Sequence, residues 1–399
     1  MRCEHAAAGH AMGPPPIPQY AMYHFFPESM YLPCRLRQIA SCLLLSIALL
    51  ASSCTVEQQR QSNMLPPARG GKGEVVLVMD SLQWKGRLGE AVRGVFAEPL
   101  PGLPQEEPMF SLTFVTASEF KSILRQSRNV VIVNTFDTQS HESRLLQQHF
   151  TEESRERIRR EPDLFLFRSE DEYASGQQVL RLFSQTEDSL IAHLGRNRKS
   201  LQQRLWTREN EAARASLLSP KALNRKLSES LAERHAFDLP TPQGYQLAKD
   251  TAGFVWLRFV ELGFDKNIII SYRPYTDKED FSDERLIAWR NELGRRHIYA
   301  DREEKPESYM VTEMRAPVHF SEIGLAGEYA KEVRGLWRLN GVFMGGPFVG
   351  YAFADLSQRR LYYVEGFLSA PSSKKREHLR ELELLLKRFQ PLPSAQPAQ

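Results

Sequence analysis

The chain has 399 residues, 52 basic against 49 acidic side chains, and four cysteines. Charges that nearly cancel create no global field toward nucleic acid, and so few cysteines exclude a disulfide-dense scaffold. The length is enough for two domains with cores of ordinary size.

From Arg35 the order is basic, apolar, small. Arg35 and Arg37 precede an apolar run over residues 39–51, and Ser52, Ser53 and Cys54 follow. That is the order of an export signal. The run is shorter than the roughly 20 residues of a spanning helix, so it reads as an h-region that is cut away. Small residues before a cysteine resemble the lipobox of bacterial lipoproteins, in which the thiol is diacylated and the chain is cleaved before it. Ala51 stands where a leucine is commoner. Ile39-Ala40-Ser41-Cys42 matches the box better as four letters, but its apolar run follows the cysteine, so nothing would have entered the membrane before cleavage. The residues before Met30 have no role in either assignment, and Met30 or Met22 is the expected start of translation. A buried helix or an uncleaved anchor over residues 39–51 is the alternative. A charged, Gln-rich stretch and a Pro/Gly linker follow at once, which favours cleavage.

Cleavage before Cys54 would leave 346 residues with 49 basic and 47 acidic side chains, and with Cys54 as the sole cysteine. Such a chain has no disulfide, no second thiol for catalysis and no thiolate metal site. Two acyl chains anchor stably where one binds only reversibly. Thr55 after the cysteine, rather than aspartate, favours the outer membrane in the best-known sorting scheme.

In chain order, residues 54–73 are expected to be a flexible linker. Residues 74–80 (EVVLVMD) form a strand and 88–96 a short helix. A Pro-rich loop over 99–108 leads to a strand at 110–116. A helix at 118–125, a buried strand at 129–135 (NVVIVNT) and a strand at 163–168 complete a first subdomain over 74–172. Residues 173–240 are expected to be a helical arm, bent or folded as a hairpin. Leu190, Leu194, Leu201 and Leu205 mark one face; after Ser219-Pro220, Leu223, Leu227 and Leu231 mark another. The second subdomain, 241–390, is predicted to have strands at 254–261, 267–272 and 309–315 and helices at 283–296 and 327–336. A hairpin of 348–354 with 361–368 follows, and a helix over 374–389 closes it. Residues 391–399 are expected to be a disordered tail. The fold class is α+β: two small sheet-plus-helix halves joined by a long helical segment.

Tyr272 to Asp277 (YRPYTD), Tyr309 to Glu313 (YMVTE), Arg334 to Phe348 (RGLWRLNGVFMGGPF) and Glu365 to Leu386 (EGFLSAPSSKKREHLRELELLL) resemble an uncharacterised family of lipoproteins from Bacteroidetes-like bacteria. The similarity runs over about residues 73–389, and RGLW with MGGPF is its most specific block. The resemblance implies lipidation and supplies no reaction and no catalytic residue.

Motifs of chemistry are sparse. His141, His149, His193, His235, His297, His319 and His378 form neither HExxH nor a close HxH pair, so no metal site or cofactor is expected. No GxSxG elbow is present. Ser118 to Lys121 fits SxxK, but neither SDN nor KTG completes such a site, and Ser118 is better read as a helix cap. Gly70, Gly71 and Gly73 precede the first strand, which is linker geometry rather than a phosphate cradle. Gly341, Gly345, Gly346 and Gly350 are read first as turns and close backbone packing. Their functional alternative is a ligand-facing loop with Arg334, Trp337 and Arg338, where arginine offers a planar donor fork and tryptophan a stacking face.

Nine basic residues crowd residues 196–226 (Arg196, Arg198, Lys199, Arg204, Arg208, Arg214, Lys221, Arg225, Lys226) against Glu209 and Glu211. A solvated helical face explains them; contact with lipid headgroups, an anionic envelope polymer or an acidic partner is the alternative, centred on Arg198, Lys199 and Arg204. Lys374, Lys375 and Arg376 begin the last helix, where cations oppose the helix dipole, and so mark a candidate anion site. Three functions remain open: a non-catalytic envelope lipoprotein that binds a protein or polymer; a cell-wall, glycan or peptide hydrolase with a dispersed site; and a small-ligand or lipid carrier. The expected location is the bacterial envelope, attached through lipid at Cys54 and without a nucleic-acid partner.

Overall fold

Short runs of β-branched residues build the first sheet. In the computed structural model, which describes residues 65–325 and 327–393, β1 (Glu74–Val78), β2 (Ser111–Val115), β3 (Asn129–Thr135) and β5 (Gln178–Ser184) run parallel. Antiparallel β4 (Leu166–Glu170) closes one edge, in the order β2-β1-β3-β5-β4. The expected export signal, Cys54, the first part of the expected linker and the end of the tail lie outside the described residues.

β3 is buried along its whole length because helices cover both faces of the sheet. α1 (Ser81–Lys85) is capped by Asp80, and α2 (Arg87–Phe96) follows it directly. Val92 and Phe96 of α2, Leu190 and Leu194 of α5 (Glu187–Arg196), and Leu201 and Leu205 of α6 (Arg198–Leu217) pack on Leu77, Val131 and Leu182. On the opposite face, Leu146 of α3 (His141–Gln147) joins Val76, Val130, Ile132 and Val179. α4 (Glu152–Arg160) runs between α3 and β4, and its Ile158 packs with Phe150 and Phe183.

The second sheet is antiparallel and longer. α7 (Arg225–His235), the short β6 (Phe237–Asp238), β7 (Gln246–Thr251), β8 (Phe254–Glu261) and β9 (Phe264–Pro274) lead through α8 (Asp283–His297) to β10 (Met310–Thr312) and β11 (His319–Leu325). β12 (Glu328–Leu339), β13 (Val342–Asp355) and β14 (Arg360–Ser369) follow, then α9 (Arg376–Leu386) and β15 (Gln390–Pro391). The order is β10-β12-β13-β14-β9-β8-β7, with β11 paired to the other half of β12. α9 covers one face, where Leu379, Leu382 and Leu386 meet Ile268, Val349 and Val364. α8 covers the other, where Leu286, Trp289 and Leu293 meet Ile269, Phe348 and Tyr363. Eight of the ten residues of β14 are buried, so its apolar residues do not alternate with polar ones, and the one charged residue among the eight, Glu365, is buried with them.

The fold class is α+β, as the sequence predicts. Several local expectations differ. Residues 178–184, assigned to the helical arm, form β5 in the middle of the first sheet, so the arm begins at α5. Residues 327–336 are strand, not helix: Val333, Gly335, Trp337 and Leu339 are buried with period two, which a helix cannot satisfy. Residues 118–125 hold only a single 3₁₀ turn, Leu124–Gln126. The described part of the linker is docked, because Ala68, Arg69 and Gly73 donate backbone hydrogen bonds to Ser175, Gln126 and Glu209. The first residues of the tail are held too, through β15 on β6 and Leu392 on Ala236.

Candidate functional site

α6 carries two stripes at helical spacing. Leu201 and Leu205 face the first sheet, while Gln202, Trp206, Asn210 and Arg214 recur every fourth residue on a second face. That second face turns toward α9 and β12, and a cleft of about 660 Å³ opens between them. Leu100, Pro101 and Met109 of the Pro-rich loop close one side. Glu332 and Arg334 of β12 and Arg380, Glu383, Leu384 and Lys387 of α9 close the other. The volume is that of a small-molecule or short-polymer site.

The floor is a set of paired charges. Arg334 donates to Glu332 at 2.6 Å and to Glu383 at 2.7 Å. Burial works against its charge, but Glu383 and Glu332 overcome that and hold its pKa well above the ordinary arginine value. Burial likewise pushes Glu332 up, yet Arg334, with Lys387 beyond it, keeps its carboxyl below the usual range. Above this floor, the half-buried ring of Trp206 stands edge-on to Phe110, and the Arg380 guanidinium lies 5.5 Å from the ring. Lys199, Arg214 and Lys387 are exposed at the rim.

A buried acid joins the two halves beside the cleft. Glu209 of α6 is fully buried and accepts hydrogen bonds from the Asn129 amide and the Gly73 backbone, both at 2.7 Å. Arg128 and Arg380 each approach it to 3.5 Å. Glu381 of α9 pairs with Lys266 at 2.8 Å and with Lys72, so α9 is tied both to its own sheet and to the segment that leads into β1.

The residues singled out in the sequence divide sharply. Arg334 lines the cleft, but its fork is occupied by two carboxylates. Trp337 is 3% exposed and its indole donates to the Leu368 carbonyl, so it offers no stacking face. Arg338 pairs with Glu313 and Asn340. Gly345 and Gly346 are packing residues: a Cβ on Gly346 would stand 1.9 Å from the Leu368 carbonyl oxygen, and one on Gly345 2.5 Å from that of Trp337. The ligand-facing loop is therefore a strand held close to its neighbours. In the basic run, Lys199 reaches the cleft, Arg198 pairs with Glu98, and Arg204 lines a separate, smaller hollow with Arg168 and Arg208.

The anion site expected at Lys374, Lys375 and Arg376 is filled by the protein itself. Glu107, from the Pro-rich loop, accepts from the backbone N–H of Lys375 at 2.7 Å and of Arg376 at 3.1 Å. Arg376 also donates to the Pro108 carbonyl, while Lys374 stays exposed. The electrostatic cost seen in the sequence is offset by an acid 268 positions away. Ser118 donates to Glu142 at 2.8 Å, and with no helix at 118–125 it shares no helical face with Lys121.

The closest approach to a catalytic relay lies elsewhere. His235 contacts the Tyr272 hydroxyl at 3.0 Å and Asp250 at 2.7 Å. Burial, with Arg234 and Arg360 nearby, lowers its pKa. The imidazole is 5% exposed and Arg360 lies 4.7 Å from the Tyr272 ring, so this trio is packed as a structural network. No group of three or more His, Cys, Asp or Glu side chains converges as a metal site among the described residues.

Trp206, Glu209, Arg380 and Glu107 escaped the sequence reading. The fourfold spacing of Gln202, Trp206, Asn210 and Arg214 was a usable signal for the cleft wall. Glu107 had none, since its partner is remote in sequence.

Residues 68–217 match the model of a domain of unknown function (DUF8532), and residues 224–388 match that of a second one (DUF4837). The chain thus carries two domains of unknown function end to end, where the sequence resemblance pointed to one family over the same span. Their junction falls just after α6, so the expected arm is divided: α5 and α6 go with the first domain and α7 with the second. No curated protein matches the chain. Among solved structures, a mutant of the protein Mog1 is 13% identical and covers 40% of this chain and 92% of its own, with a TM-score of 0.26. The Saccharomyces cerevisiae Ran-binding protein Mog1p is 12% identical over 39% and 90%, also at 0.26. A protein from Bacteroides thetaiotaomicron is 9% identical over 40% and 46%, at 0.23. Similarities this low carry neither fold nor function.

Proposed function

We propose that this is a lipid-anchored bacterial envelope protein, held at a membrane through Cys54, that binds a polar, anionic envelope partner or polymer in the cleft between its two domains without transforming it. The cleft carries the proposal. It is large enough for a ligand, both domains contribute walls, and its rim cations stand above a floor whose own charges are already paired. A ligand anion would meet Lys199, Arg214 and Lys387, while Trp206 offers an apolar edge. The order basic, apolar, Ser52-Ser53-Cys54 supports the anchor, and no helix among the described residues is long and apolar enough to cross a membrane.

The test has two arms. Reversing Lys199 and Arg214 to glutamate should abolish recovery of whatever is crosslinked to the protein in its native envelope, with the thermal midpoint unchanged. Undiminished recovery rules out the cleft as the binding site. Cys54→Ser should release the protein from the membrane fraction, and full retention would refute the anchor.

A further inference from the structure

We infer that the ligand of this cleft is an acidic glycan, lying extended along α6 with its carboxylates at Lys199 and Arg214 and its hydroxyls at Trp206 and Asn210 between them. This rests on the cleft proposed above as the binding site and names the class of ligand it takes.

Lys199, Trp206, Asn210 and Arg214 all line the cleft from one unbroken helix. At the α-helical repeat they fall within about a quarter turn of one another, so they form a single row. Arg214 stands about 22 Å along the axis from Lys199. No single sugar or phosphate reaches both cations, whereas an extended chain does. Gln203 fills the turn between Lys199 and Trp206. One turn advances about 5.4 Å, close to the advance of one sugar in an extended glycan, so the row presents a polar group about once per sugar over about four sugars.

The chemistry of the row is that of a ligand with charged ends and a hydroxylated middle. Among the described residues, the side chains of Lys199, Asn210 and Arg214 and the indole N–H of Trp206 have no hydrogen-bond or ion-pair partner, and the Asn210 Oδ1 is buried without one. Glu211, the acid on the same wall, is held by Arg208 at 3.6 Å, and Glu332 and Glu383 are held by Arg334. An amide both donates and accepts, as a sugar hydroxyl does. The half-buried ring of Trp206, with Leu100 and Met109 of the loop, adds apolar surface for the C–H face of a sugar ring. An extended peptide finds less. Both edges of β12 are already paired, by β13 on one side and by β10 and β11 on the other, so the floor of the cleft has no open strand edge to add to.

The experiment is calorimetric titration of the full chain, in detergent micelles, with tetragalacturonate, galacturonate, neutral maltotetraose and a tetraglutamate peptide. Tetragalacturonate should bind tighter than each of the other three by about tenfold or more, the effect of one charged hydrogen bond. Lys199→Gln and Arg214→Gln, at exposed positions, should each weaken tetragalacturonate by about tenfold and leave the thermal midpoint unchanged. Trp206→Leu, which keeps an apolar side chain against Phe110, should weaken it as well. Equal binding of any of the other three probes, or binding of none, overturns the acidic glycan. If the glutamate reversal of Lys199 and Arg214 still abolishes crosslinked recovery in the native envelope, the cleft survives that result as the site of a different partner. Undiminished recovery in the reversal overturns the cleft and the glycan together.

Discussion

Replacing Glu107 by alanine tests whether the start of α9 depends on an acid supplied by the other domain. The Glu107 carboxylate is 7% exposed and accepts the N–H groups of Lys375 and Arg376, and Lys375 provides no side-chain cap of its own. Loss of a helix cap costs about 1 kcal/mol, and a favourable partly buried charge at a helix N-terminus contributes up to about 2 kcal/mol. These overlap in one contact, so Glu107→Ala should cost about 2–3 kcal/mol, because two buried backbone donors lose a charged acceptor. In a unit of this size that lowers the thermal midpoint by about 5 °C. Glu107→Gln, which keeps a neutral acceptor, should cost less than half as much. Lys374→Ala, at an exposed neighbour, should stay within about 0.5 kcal/mol of the parent. Urea unfolding followed by tryptophan fluorescence gives all three values. A Glu107→Ala protein within about 0.5 kcal/mol of the parent would refute the cap.

Three further outcomes are expected. Gly346→Ala should destabilise by about 3 kcal/mol or more, measured by calorimetry, because the new methyl would meet the Leu368 carbonyl at 1.9 Å. Glu365→Ala should cost about 3–5 kcal/mol in the same assay. It strands Arg290, which is 1% exposed and bonded to that carboxylate through Nε and Nη2, both at 2.8 Å. Burial, with Lys249, Arg296 and Arg302 nearby, lowers His297 to about 4, so the unfolded chain binds its proton more readily than the folded one. Its contribution is therefore full above the unfolded value near 6.5 and is lost as pH falls from there to about 4, and His297→Gln should flatten the stability profile in that window.

The strands buried on both faces were the legible part of the fold. NVVIVNT at 129–135 coincides with β3 to the residue, because a short, fully apolar, β-branched run bounded by polar residues has no other compact use. Residues 327–336 misled because Ala330, Val333 and Trp337 also recur at near-helical spacing, and only pairing with β11 and β13 selects the extended form. Residues 178–184 were hidden for a similar reason: Val179, Leu180 and Leu182 are as suited to an amphipathic helix as to a central strand until β3 and β4 flank them.

The candidate site follows the same division. By itself, the sequence determined the order basic, apolar, Ser52-Ser53-Cys54, the balance of charge and the α+β class, since each depends only on neighbours along the chain. It also exposed the conflict of Lys374, Lys375 and Arg376 with a helix start. Only the tertiary structure decided how that conflict is resolved, by Glu107, and which arginines are already occupied. It also placed Trp206, Glu209 and Arg380 together. Glu107 meets α9 from 268 positions away and Glu209 meets Arg380 from 171, and a buried charge is defined by its partner more than by its place in the chain.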